Sequence, residues 1–495
     1  MTRSDDFNEH NENGLKLMES GQLEEAAAEF RKALDADPES AQAHKHLADV
    51  LYELERYDEA EAAYRDAIRL YPDDPDVYIS LGNSLAHLGR QEDAMPIFRE
   101  AISMAPDSPL AHHNLGLAYT EMEMWEDAVR EFHEAFRLGM DDDVTEHEWV
   151  GYAFEKLDRH EEAAAEFRKA LALDPESAYA YRHLADELHE LERYDEAEAA
   201  YRQAIRLCPE YAGLHNGLGI VLKELGRSDE AIEAYREALR TAPDHAYAHY
   251  NLGLLYRELG KLDNALTEFQ EAVRLAPDDP DTHDHLGYSL VDLGRYEEAV
   301  QSHREAVRLQ PEDGDMHYDL AIALEKQGSI DEATAEYRKA ICLQPDSAEN
   351  HWGFGEMLWK QERLDEAVTE YEEAIRLKPD YSYAHSDLGY ALLKQGQVDK
   401  AIEEIQEAIR LDPVDRVAYA YLGEAVEKKG DTDGTITAYR KSIELGSTDA
   451  EVYRDLGSAL KSQGKIDEAK EIWEKGLALN DPDQNEEIRR LMEEH

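Results

Sequence analysis

The chain has 495 residues, with 112 Asp plus Glu against 52 Lys plus Arg and a formal net charge of −60. That balance excludes DNA, RNA and anionic membrane surfaces as expected partners, because each needs Lys and Arg to neutralise phosphate. Two cysteines, Cys208 and Cys342, are too few for a disulfide framework or a four-thiolate metal site, and no apolar run reaches signal-peptide or membrane-spanning length. A cytoplasmic protein without membrane insertion is expected.

Along the chain, prolines recur every 34 residues: Pro38, Pro72 and Pro106, then Pro175, Pro209, Pro243, Pro277, Pro311, Pro345, Pro379 and Pro413. Counting back from each places repeat starts at 7, 41, 75, 109, 144, 178, 212, 246, 280, 314, 348, 382, 416 and 450. These fourteen repeats fill residues 7–483, between a leader at 1–6 and a C-terminal segment at 484–495 expected to be a capping helix with Ile488, Leu491 and Met492 on one face. A fixed period of this length with no strand pattern predicts an all-α solenoid.

Within a repeat the pattern predicts two antiparallel helices. In repeat 8, Leu252, Gly253 and Tyr256 share one face of the first helix. Gly260 ends that helix, and Ala265, Phe269 and Ala272 recur at helical spacing on the second. Glycine takes the turn position in nine repeats, from Gly21 to Gly464. Segments 24–71 and 161–208 match at most positions, which points to duplication of a block of repeats. Changes of pitch are expected near 138–144, where one residue is inserted and the stop proline is missing, and in 431–449, where Thr435 and Ser442 replace small apolar residues.

These residues resemble the signature of the tetratricopeptide repeat family, W-x2-L-G-x2-Y, then A-x3-F, then P. The resemblance covers residues 7 to about 483 and implies a right-handed superhelical solenoid of antiparallel helix pairs. One departure is systematic: the signature Trp is His in ten repeats, from His10 to His385, and Tyr in the other four. Both are flat rings able to fill the same slot between helices.

The resemblance also implies a concave groove lined by positions 2, 5, 9 and 12 of the first helices. In repeats 8 to 12 those positions include Tyr247, Tyr250, Arg257, Asp281, Asp284, Tyr288, Asp315, Tyr318, Glu325, Glu349, Trp352, Glu356, Trp359, Tyr383 and Tyr390. Rings interleaved with carboxylates, and a single base, suit an extended segment rich in Lys or Arg, through cation–π contact and charge pairing. The alternative is that the rings pack against the neighbouring repeat. Repeats 1 to 4 offer a more polar and aliphatic lining, including Asn8, Asn11, Lys45, Asp49, Ile79, Asn83 and Leu117, which could serve a second partner. Two peptide-gripping modes of the family do not transfer. A K-x-x-x-N clamp is missing around Asn83, and an asparagine ladder is reduced to Asn114 and Asn251.

Catalytic motifs are not found. Phosphate-binding glycine loops need a preceding strand. The run His147-Glu148-Trp149-Val150-Gly151 has Gly where a zinc-protease motif needs its second His. His245 and His249 could share a helix face but show no third ligand in sequence. No catalytic, cofactor-binding or metal-binding residue is therefore expected, and no cofactor. The expectation is a non-catalytic scaffold for a basic protein or peptide. The alternatives are a self-assembling structural protein or the regulatory, substrate-recruiting subunit of a separate enzyme, and homo-oligomerisation stays open. The acidic surface suits either steering of basic partners or adaptation to a salt-rich cytoplasm.

Overall fold

The computed structural model describes residues 3–140 and 143–493, and these form 29 α-helices with no strand among the described residues. Asp141 and Asp142, part of the junction expected to alter the pitch, lie outside them, as do Met1 and Thr2 of the leader. The first helix spans Arg3–Glu19 and so takes in residues read as leader. Contacts divide the chain into two compact units, Met1–Asn251 and Leu252–His495, each a tandem of helix pairs.

The local causes repeat with the sequence. Several first helices open on a side-chain cap, as where the hydroxyl of Ser347 accepts from the Asn350 amide to start Ala348–Lys360, whereas Val144–Glu155, Ala212–Glu224 and Ser382–Lys394 have none. Second helices carry acids in their first turn instead, such as Asp365 and Glu366 in Leu364–Leu377, where the helix dipole favours negative charge. Between the two helices every repeat passes through one left-handed residue. The nine glycines do so at φ of 68° to 89°. The remaining five repeats use Glu55, Glu123, Asp158, Glu192 and Glu362 at φ of 54° to 59°, a conformation that costs an L-residue about 1 kcal/mol.

The core forms where the second helix crosses the first. A Cβ added at Gly253 would meet the Phe269 ring at 2.9 Å, so only glycine lets the fully buried ring lie flat there. The far side of Phe269 stacks on His285 of the next repeat, with centroids 6.0 Å apart. One ring thus serves both intra-repeat and inter-repeat packing, which is why a repeat cannot stand alone.

The histidines at the signature Trp position act as polar clasps. In His112, His317 and His385, Nε2 faces the carbonyl of the proline six residues earlier, at 3.2–3.3 Å. Nδ1 of the same rings faces a glutamate on the second helix nineteen residues later, at 2.6–2.7 Å. Each clasp thereby ties the preceding loop, the first helix and the second helix together.

Unit 2 ends in a helix at Pro482–Glu493 whose Ile488 is 0% exposed, with Leu491 and Met492 packed on the Trp473 cluster. In repeat 13 the buried hydroxyls of Thr435 and Ser442 donate to the backbone carbonyls of Asp431 and Arg416, at 2.9 and 2.8 Å. Burial of these polar groups therefore leaves no unsatisfied donor.

Candidate functional site

The candidate site lies in unit 2, on the first helices of repeats 9 to 12: Pro280–Asp292, Gly314–Gln327, Ala348–Lys360 and Ser382–Lys394. Tyr247, 73% exposed, and the half-buried Tyr250 belong to unit 1, because the boundary between units falls inside Ala246–Glu258.

Arg257, the one base among the candidates, is held internally. Its guanidinium lies 4.9 Å from the Tyr288 ring centroid and its Nε donates to Asp292 at 2.9 Å. Tyr288 is half-buried, meets His303 edge to face, and donates its hydroxyl to Asp319. Asp284 accepts from Nδ1 of His303 at 2.8 Å. Asp319 is 6% exposed, and burial pushes its carboxyl up to about 8; the nearby charge of Asp284 adds to this and the Tyr288 hydrogen bond opposes it.

Repeats 10 to 12 bring the larger rings together. Tyr318 meets Tyr337 edge to face at 5.6 Å, and its hydroxyl lies so close to Gly353 that a Cβ there would clash at 2.5 Å. Glu325 accepts from the Tyr337 hydroxyl at 3.1 Å and from Lys360 at 2.9 Å, and Glu349 accepts from Lys378 at 2.9 Å. Trp352 donates its indole N–H to Asp387 at 2.8 Å, and its ring lies 5.8 Å from Tyr381 and 6.2 Å from Tyr383. Burial pushes Asp387 up to about 7, against the Trp352 hydrogen bond. Trp359 packs on Tyr390 at 5.1 Å, and Tyr390 stacks on Tyr421 at 4.0 Å and 8°. Lys394 covers the other approach to Tyr390 at 4.5 Å and reaches Glu424 at 2.7 Å.

Many of these rings therefore do pack against the next repeat, as the alternative reading expected, while remaining only partly buried. Tyr383 is 57% exposed. Asp281, Asp315 and Glu356 form no ion pair among the described residues. The arrangement is a half-exposed aromatic strip flanked by carboxylates without cations, with its own bases already paired. Such a surface can take a cation on a ring face or beside a carboxylate. Tyr381, Asp387 and Tyr421 join it although they lie outside positions 2, 5, 9 and 12. Asp319 and Asp387 occupy the position just before the signature Leu, a pattern readable from the repeat alignment.

No group of three or more His, Cys, Asp or Glu suited to a metal ion occurs among the described residues, and both cysteines are exposed thiols. None of the described helices is long and apolar enough to cross a membrane.

Comparison with known proteins agrees with this architecture. A tetratricopeptide repeat model matches residues 11–75, 47–109, 113–178, 216–280, 286–349, 335–382, 353–416 and 386–450, and two further repeat models match 185–226 and 450–483. The chain belongs to the tetratricopeptide repeat family, whose helix-pair arrays are suited to protein–protein interaction. Curated protein sequences give no match. Among solved structures, the chain is similar to yeast Tom70, at 19% identity over 86% of this chain and 96% of that one, with a TM-score of 0.41. It is likewise similar to the Cut9–Hcn1 structure, at 16% identity over 90% and 95%, with a TM-score of 0.42. A third is YrrB, described as a tetratricopeptide protein with an unusual peptide-binding site, at 23% identity over 38% and 95%, with a TM-score of 0.36.

Proposed function

We propose that this protein is a non-catalytic cytoplasmic scaffold that binds an extended Lys- or Arg-containing segment of another protein along the aromatic strip of repeats 9 to 12. The observation that carries the reading is that the partly exposed Trp352, Trp359, Tyr383 and Tyr390 share these first helices with Asp281, Asp315 and Glu356, which form no ion pair among the described residues. The repeat fold requires neither the rings nor the acids at those positions. A net charge of −60 supports the same sign of partner by drawing basic segments in.

Fluorescence anisotropy with a labelled twelve-residue peptide of alternating Lys and Ser tests this. Binding in the micromolar range is expected at 50 mM salt, weakening about tenfold by 500 mM as the charge pairs are screened. An equally long peptide with Glu in place of Lys should not bind. Equal affinity for the two peptides, or no dependence on salt, would overturn the proposal.

A further inference from the structure

A second aromatic cluster lies in unit 1. Trp125 opens the second helix of repeat 4 (Trp125–Arg137), Trp149 and Tyr152 lie on the first helix of repeat 5 (Val144–Glu155), and Tyr179 lies on the first helix of repeat 6 (Ala178–Glu190). Trp125 and Trp149 both stand nearly perpendicular to Tyr152, at 83° and 82°, with centroids 5.8 and 6.5 Å away. Tyr179, 42% exposed, leans on His183 at 4.2 Å. The four rings border one open cavity of about 660 Å³.

Two features give this cavity a charge preference. Glu121 and Glu123 line it and form no ion pair among the described residues. An ammonium is already seated against its central ring: Nζ of Lys156 lies 4.7 Å from the Tyr152 centroid and 3.1 Å from Glu155. Glu155 is held in turn by Nδ1 of His183 at 2.7 Å. Rings set at right angles, with carboxylates lining the same cavity, offer a cation several π faces. The seated lysine shows that the geometry accepts an ammonium, and the cavity has room for more than that one group.

We propose that this box is a second binding site, which receives a Lys or Arg side chain of a partner protein and from which Lys156 is displaced on binding. It does not depend on the reading given for unit 2. Tyr152, Glu155, Tyr179 and Arg182 hold positions 9, 12, 2 and 5 of their first helices, whereas Trp125 sits on a second helix, outside that position set. The other local base does not compete for Tyr152, because Arg182 lies over Tyr211 at 5.5 Å and bonds its hydroxyl at 3.2 Å.

The test uses the full chain labelled with 5-fluorotryptophan, whose five tryptophans give separate fluorine resonances for Trp125 and Trp149 in unit 1 and for Trp352, Trp359 and Trp473 in unit 2. The probe is an acetylated tetra-arginine amide. Saturable shifts of the Trp125 and Trp149 resonances are expected, whatever happens at Trp352 and Trp359. Tyr179→Ala should weaken the affinity read at Trp125 at least fivefold. Lys156→Ala should tighten it at least threefold by removing the internal competitor. Lys16→Ala, which changes net charge equally at a side chain 71% exposed in repeat 1, should leave it unchanged. Immobile Trp125 and Trp149 resonances would overturn the proposal, as would equal effects of the two lysine substitutions.

Discussion

Trp352→Ala is expected to lower the unfolding free energy by about 3 kcal/mol. Two losses combine. Removing a large aromatic side chain from a well-packed site costs about 3–5 kcal/mol, less here because Trp352 is only half-buried. The indole N–H is also a donor to the sequestered Asp387 carboxylate, and a hydrogen bond to a charged group contributes about 1.5–3 kcal/mol. Without that donor, burial is opposed only by the nearby charge of Lys360, and the Asp387 carboxyl titrates higher still. The folded variant must then either keep a proton or bury a bare charge, so the loss should be larger at pH 8 than at pH 5.5. Trp352→Phe separates the two contributions, since it keeps most of the ring contact with Tyr381 and Tyr383 and removes only the donor. Urea denaturation followed by circular dichroism at the two pH values checks both variants; a midpoint for Trp352→Ala equal to that of the unaltered protein would contradict the packing described.

Asp319→Asn should act in the opposite direction. Burial first, then the charge of Asp284, raise the Asp319 carboxyl to about 8, against about 4 in an unfolded chain. Between those values the folded protein holds a proton that the unfolded chain releases, so this group lowers stability progressively as pH rises from about 4 to about 8. The half-buried Asp387, raised to about 7, has the same sign. His385 adds to it. Burial lowers its pKa, but the Glu404 hydrogen bond and the Pro379 carbonyl outweigh burial and raise it, so its contribution is present below about 6.5 and lost as pH rises through the folded value. An asparagine at 319 keeps an acceptor for the Tyr288 hydroxyl without the charge. A gain on the order of 2 kcal/mol at pH 8 and none at pH 4 is expected. Urea midpoints across that range measure it, and parallel pH profiles for the two proteins would refute it.

The two substitutions also show where sequence reading stops. The repeat register, the helix pairs and the nine glycine turns follow directly from the 34-residue period, and the lie of Phe269 over Gly253 follows from the small-residue pattern. That acidic residues take the left-handed turn in the other five repeats was not read, because nothing in a lone Glu55 signals a positive φ; only its position in the repeat does. The clasps were half legible. His at the signature Trp position is visible in the sequence, but its partner lies nineteen residues away on the other helix, as Glu370 does from His351. Lining up the repeats would have shown His and that Glu occurring together.

The binding surface was harder because its contacts obey a second spacing. Trp352 meets Asp387, Arg257 meets Asp292 and Lys360 meets Glu325, each 35 residues apart. Trp359 with Tyr390, and Tyr390 with Tyr421, are 31 apart. Neighbouring first helices interlock one position up or three down from the 34-residue register, as ridges enter grooves. A reading confined to single helices finds which residues share a face but not which of them satisfy each other. For that reason Arg257 stood out as a groove base, although the structure shows it engaged with Tyr288 and Asp292.

Recognition of a basic segment by the strip in unit 2 is best probed with variants that spare the residues also holding the fold. Tyr383→Ala with Glu356→Gln removes an exposed ring and a carboxylate without an ion pair, and leaves the Trp352–Asp387 and Trp359–Tyr390 contacts in place. Anisotropy with the Lys–Ser peptide should show affinity falling at least tenfold in this double variant while the circular dichroism spectrum stays that of the unaltered protein. Affinity within twofold of the unaltered protein, with the fold intact, would contradict the account.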